Sequence, residues 1–198
     1  MSFNYSVLNK EFEDKGYFIC KKIFNKDYVS ELINEIYNSN DNIKYYDKDD
    51  KLRRIEKLYD KGQYLIEANK KIIYLIKNIL KKDVLIFKDK FNAKPPGGEG
   101  FYAHYDGIFK FKDHKDNMRN GWYEYGDFFV NALVALDECN KKNGTIEIAN
   151  AHNGNFDELL KNTRKDGTPA LTEEIEIKNN FNLINLNIGD VVFFSNTC

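Results

Sequence analysis

The chain is poor in the residues that most often mark a special function. Its 198 residues include three histidines, three cysteines, three prolines and a single tryptophan. The cysteines, Cys20, Cys139 and Cys198, are far apart and odd in number, which excludes a secreted disulfide framework and reads as free thiols in a reducing compartment. No run approaches the ~18 consecutive apolar residues of a membrane-spanning helix. The first residues, MSFNYSVLNKEFEDKGYF, lack the apolar stretch of a signal peptide. An excess of one charge is missing too: 30 Lys+Arg stand against 31 Asp+Glu. That balance argues against a nucleic-acid partner, which selects for a basic footprint. A cytoplasmic protein with neither membrane nor nucleic-acid partner is expected, and the oligomeric state is not legible.

What is present suits one globular domain: 42% hydrophobic and 15% aromatic residues suffice for a packed core. The first third reads helical. Val29, Leu32, Ile33 and Ile36 predict a helix over 26–39, and Leu65, Ile66, Ile72, Leu75, Ile76 and Leu80 predict another over 62–81. A short strand, Tyr17 to Cys20, precedes them, and the polar stretch 40–52 between them reads as a loop. After residue 82 the period becomes two. Phe87, Asp89 and Phe91 alternate with Lys88, Lys90 and Asn92 as in a half-buried strand, and Pro95-Pro96-Gly97-Gly98 then forces a loop. Further strands are expected near 99–106, 127–137, 144–149, 172–178 and 189–195, with Asn143-Gly144 as a hairpin turn. Strands without long intervening helices predict an antiparallel sandwich or barrel.

The scarcity of histidine narrows the chemistry. His104 and Asp106 flank Tyr105 at the end of a predicted strand, where residues i and i+2 share a face. One imidazole and one carboxylate converging there, joined by a second histidine, make the facial ligand set of non-haem Fe(II) oxygenases. A zinc hydrolase fits poorly, since it needs three protein ligands and a water.

The blocks LIFKDKFNAKPPGGEGFYAHYDG, NALVALDECNKKNGTIEIANAHNG and NIGDVVFF, with Arg54-Ile55-Glu56 upstream, together resemble the phytanoyl-CoA dioxygenase family of Fe(II)- and 2-oxoglutarate-dependent oxygenases over roughly residues 10–198. The likeness is to its small-molecule hydroxylase branch and, within it, to enzymes acting on aminoalkylphosphonates. The resemblance implies a mainly β double-stranded β-helix (a cupin-like jelly roll) with N-terminal helices. One domain, 1–198, would divide into a helical part, 1–82, and a jelly-roll core, 83–198. It implies His104 and Asp106 as iron ligands, with 2-oxoglutarate and O2 as co-substrates, ascorbate in support, and hydroxylation of a small substrate. Related halogenases have Gly or Ala where Asp106 stands. The family's second histidine and its 2-oxoglutarate-gripping arginine follow the Gly-Asp-x-x-x-Phe strand; here Gly189 to Phe194 is present but neither residue follows before Cys198, so the jelly roll reads as truncated before its last strands and the sequence as a fragment.

Other residues are candidates with two readings each. Lys88, Lys90 and Asn92 would meet an anionic co-substrate or substrate, or solvent alone. Asn131 would reach the 2-oxoglutarate carboxylate. Tyr102 and Tyr105 would pack on substrate or fill the core. His152 would be a ligand, or a loop or substrate contact. Trp122, in the insertion 107–126, would belong to a lid, and His114 would be solvated. The alternative function is a non-catalytic jelly-roll binding module with a degenerate metal site.

Overall fold

A computed structural model of the chain describes residues 3–98 and 100–198. Three helices lead: α1 (Tyr5–Lys15), α2 (Lys26–Asn38) and α3 (Gln63–Leu80), with strand β1 (Tyr17–Cys20) after the first and β2 (Ile43–Tyr46) and β3 (Leu52–Glu56) after the second. The stretch expected to be a loop thus holds most of a hairpin, and the expected helical part carries three strands. Helix α1, not singled out by periodicity, begins at Asn4, whose side chain accepts from Val7 N–H, and ends at Gly16 in the left-handed region (φ 81°). Glu35 of α2 caps α3 by accepting the N–H groups of Tyr64 and Leu65.

Strands β4 (Lys90–Asn92), β5 (Phe111–Lys112), β6 (Met118–Arg119), β7 (Val130–Val134), β8 (Glu147–Ile148), β9 (Asn182–Leu183) and β10 (Val191–Ser195) follow, with short helices α4 (Phe156–Leu160) and α5 (Glu173–Lys178) between them. All pairings are antiparallel, as expected: sheet β1-β10-β7, sheet β2-β3-β4, and the pairs β5-β6 and β8-β9. Four details depart from the sequence reading. Residues 173–178 are helical because Thr172 caps them and three glutamates favour the positive N-terminal end. Residues 83–89 are not a strand; only 90–92 pair. The expected strand 99–106 has a single bridge, His104 to Ala170, and Glu99 lies outside the described residues. Asn143-Gly144 does turn the chain, yet the strands on either side pair elsewhere.

Strand β10 organises the layers. Val191, Val192 and Phe193 are all fully buried. Val191 and Phe193 pack toward the helices with Phe18, Leu75, Ile76 and Ile79, while Val192 packs the opposite way with Ile148, Ile184 and Leu186. A second face-to-face contact places Ile55 of β3 and Leu58 against Leu32 and Ile36 of α2. No helix among the described residues is long and apolar enough to cross a membrane.

The turn into β10 is pinned by Asp190, which is fully buried. Its carboxylate accepts from Lys22 N–H (2.8 Å) and Asn187 N–H (2.9 Å) and meets Lys21 Nζ at 3.1 Å. Burial pushes its pKa up, but these donors outweigh burial and hold it below the usual carboxylate range. A depressed native pKa adds stability that is present above the unfolded value of about 4 and is lost as pH falls through the native one. Asp190→Asn, which turns an amide N–H₂ toward a backbone N–H, is expected to cost roughly 2–4 kcal/mol in urea unfolding at pH 7, and the gap to the native chain should shrink in acid.

Candidate active site

His104 and Asp106 do converge. Nε2 of His104 lies 3.7 Å from Oδ1 of Asp106, with side chains 37% and 25% exposed, so the pair faces open space. His104 Nδ1 sits 2.9 Å from the carbonyl oxygen of Tyr102. A carbonyl only accepts, so Nδ1 carries hydrogen and the neutral ring presents its lone pair at Nε2, toward the carboxylate. The imidazole pKa is raised, chiefly by the facing Asp106 carboxylate; burial and the charge of Lys90 oppose the shift.

Asp106 is held on both main chain and side chain. Its N–H donates to Asn196 O (2.8 Å), and Asn196 Nδ2 donates back to Asp106 O (2.9 Å). Asn131 Nδ2 donates to Asp106 Oδ2 at 3.0 Å, leaving Oδ1 to face His104. The amide expected to meet a co-substrate is therefore engaged with the carboxylate itself. Asn196, buried just beyond β10, carried no periodic or motif signal.

The intervening Tyr105 points the other way, as strand alternation requires. It is 1% exposed, and its hydroxyl meets His152 Nδ1 and accepts from Asn162 Nδ2 at 3.1 Å. His152 Nε2 lies 2.9 Å from Asn179 Oδ1. Both imidazole nitrogens of His152 are thus spent, and the residue lies on the reverse of the pair. Tyr102 stays on the front, its ring centre 6.3 Å from that of His104. His114 is exposed on the β5-β6 hairpin. Two cavities are lined by other residues: one of about 410 Å³ by Lys22, Phe24, Tyr28 and Lys71 among others, and one of about 130 Å³ by Asp127, His152 and Ser195 to Thr197 among others.

Lys90 and Asn92 stand opposite Glu56 and Arg54 in the small sheet, so these four side chains share one polar face. Arg54 lies over the Tyr45 ring at 4.4 Å, its buried Nε 3.1 Å from Glu56 Oε1 but without a well-aligned hydrogen bond. Lys88 leaves that face; its Nζ rests 5.2 Å from the Trp122 ring centre. Trp122 is itself packed between Phe87 and Phe129 and against Gly107, the residue after Asp106.

Among the described residues no three His, Cys, Asp or Glu side chains cluster as a metal site, so the chain's own donor set at this place is the imidazole and carboxylate pair.

The family model of phytanoyl-CoA dioxygenase (PhyH) matches residues 12–198. The chain belongs to this family. It is 24% identical over 138 residues to a 2-aminoethylphosphonate dioxygenase of Uncultured bacterium HF130_AEPn_1; the match takes in 69% of this chain and 46% of that one, so the chain spans about half the length of this curated relative. Its fold resembles the non-heme alpha ketoglutarate dependent carbocyclase SnoK from nogalamycin biosynthesis (TM-score 0.70, 11% identity, 96% of this chain and 74% of that one). It also resembles HygX from Streptomyces hygroscopicus, solved with nickel, 2-oxoglutarate and hygromycin B (TM-score 0.60, 15% identity, 96% of this chain and 77% of HygX).

The packing of Trp122 on Gly107 yields a test. Gly107 has φ 84°, and a Cβ there would come 2.4 Å from the indole. Gly107→Ala is expected to destabilise by roughly 2–4 kcal/mol. In a Trp122→Ala background the cost should fall to the ~1–2 kcal/mol of left-handed backbone strain. Equal costs in both backgrounds, measured by thermal unfolding, would exclude the steric contact.

Proposed function

We propose that the chain is an Fe(II)- and 2-oxoglutarate-dependent dioxygenase that hydroxylates a small polar substrate. The observation that carries this is the His104–Asp106 pair: two ligand atoms facing each other, each backed by a hydrogen bond that orients it. An imidazole that donates its other N–H to a carbonyl, and a carboxylate whose second oxygen is held by an amide, form the arrangement that metal ligation favours. His104 Nε2 and Asp106 Oδ1 would hold the metal. Bound iron, with 2-oxoglutarate and O2, supplies the oxidation: 2-oxoglutarate goes to succinate and CO2 as oxygen enters a substrate C–H bond.

The chain's own residues bind and orient. Asn131 and Asn196 keep Asp106 from turning. Lys90 and Asn92 present a cation and an amide from one face of the small sheet to an anionic co-substrate. Tyr102 stands on the substrate side. Membership of the family and the likeness in fold support a double-stranded β-helix in a single domain, 1–198, with 83–198 as its core and 1–82 as the packing that backs it.

The donor set of two within this chain keeps a second reading in view, a jelly-roll module that binds small molecules without turnover. One assay separates them. Incubated with Fe(II), ascorbate, 2-oxoglutarate and O2, the protein is expected to release succinate, and His104→Ala should abolish both release and iron binding. Asn131→Leu is expected to weaken Fe(II) affinity roughly tenfold or more while leaving the fold intact. Iron binding unaffected by His104→Ala would overturn the assignment; iron binding without succinate would favour the module.

A further inference from the structure

We infer that Arg164 and Tyr102 form an anion-binding site beside the His104–Asp106 pair, fitted to a carboxylate or phosphonate-type oxyanion of a small molecule. Its place in a catalytic cycle rests on the oxygenase reading, whereas the site itself rests on geometry that needs no metal.

Three segments lie side by side here. Thr163 pairs with Leu171, and His104 pairs with Ala170. The register continues in backbone hydrogen bonds from Arg164 N–H to Ala170 O (2.8 Å), Leu171 N–H to Ala103 O (2.9 Å) and Tyr105 N–H to Pro169 O (3.1 Å). Directly opposed residues of antiparallel segments project from the same face. Arg164, Ala170 and His104 therefore form a row, with only a methyl group in the middle. Tyr102, two residues before His104, belongs to the same face.

The side chains bear this out. The Arg164 guanidinium carbon is 5.3 Å from the Tyr102 ring centre, and that ring is 6.3 Å from the imidazole, so the cation stands no farther from His104 than the two spans laid end to end. Arg164 Nε donates to Leu171 O at 3.1 Å, which together with the ring beneath it orients the group. Arg164 is in no ion pair among the described residues. The nearest acid in sequence, Asp166, accepts from Thr168 N–H (2.9 Å) and Oγ1 (2.6 Å) and makes no ion pair with Arg164, although the guanidinium charge helps to lower its pKa. An aromatic-backed guanidinium with one nitrogen anchored and its terminal N–H₂ groups uncommitted is a preformed two-pronged donor, and its complement is a planar carboxylate or a tetrahedral oxyanion. Two bound molecules could supply the anion: the far carboxylate of 2-oxoglutarate, or an acidic group on the substrate.

Titration of the metal-free protein with methylphosphonate and, separately, with 2-oxoglutarate, followed at the Arg164 Nε–H resonance by NMR, tests the site. Arg164→Gln is expected to weaken binding of at least one probe by roughly tenfold or more, and Arg164→Lys to restore it only in part, because an ammonium lacks the fork. Tyr102→Leu should weaken the same probe. Loss for methylphosphonate assigns the site to substrate, and loss for 2-oxoglutarate alone assigns it to co-substrate. Absence of binding by the native chain, or binding of both probes unchanged in Arg164→Gln, would overturn the inference. His104→Ala should lose iron yet, in the metal-free protein, keep binding of whichever probe Arg164→Gln weakens, so failure of the metal assignment and failure of the anion site give different results.

Discussion

The direction in which the Asp106 carboxylate points is fixed by the register between β7 and β10. Asn131 of β7 sits opposite Phe194 of β10, and Asn196 lies two residues farther along the same chain. From these two positions come the amide on Asp106 Oδ2 and the paired main-chain bonds on either side of its Cα. A slip of one residue would carry the Asn131 side chain to the other face of the sheet and uncouple both clamps at once. Burial sets that register: Val191 and Phe193 can face only the helices, and Val192 only the β8-β9 side. Hydrophobic packing on two faces of one strand thereby determines where a polar carboxylate points.

The His-Tyr-Asp tripeptide divides its labour between two surfaces for the same reason. Its outer members look toward open space. Its middle member reaches back to a network of His152, Asn162 and Asn179, all far from it along the chain. A buried hydroxyl without a partner would cost about 1–3 kcal/mol, so satisfying it ties those residues to the segment that carries His104 and Asp106. That segment has little ladder of its own, a single bridge to Ala170, and the polar network on its back supplies what the ladder lacks.

The His104–Asp106 convergence was legible because strand alternation needs only the sequence, as were α2 and α3. Residues 173–178 misled because Ile175 and Ile177 imitate a strand, while the cap at Thr172 and the glutamate charge decide for helix. The segment 83–89 alternates well but finds no partner strand, and Phe87 instead meets Trp122, Tyr125 and Phe129 across the insertion. Alternation records which side chains favour burial, not which backbone lies alongside. Asn196 and Arg164 were illegible for a related reason: each acts through a main-chain pairing between segments distant in the chain, and a lone Asn or Arg in a polar stretch has no period to betray it.

The insertion 107–126 answers a further question, whether the mouth beside the pair is a moving lid. Its hairpin is fastened internally. Asp113 accepts from Lys115 N–H, Asn117 N–H and Arg119, donors that outweigh its slight burial and hold its pKa at about 2, and Arg119 bridges on to Glu124. At the base, Trp122 N–H donates to Gly107 O, and the indole lies where a side chain on Gly107 would have to be. A flexible lid needs a hinge free to change φ and ψ. Here the residue best suited to be that hinge, a glycine at positive φ, is covered by tryptophan and joined directly to Asp106. Movement of the insertion would drag the carboxylate with it, so the structure favours a fixed rim, with access to the pair set by its shape and charge.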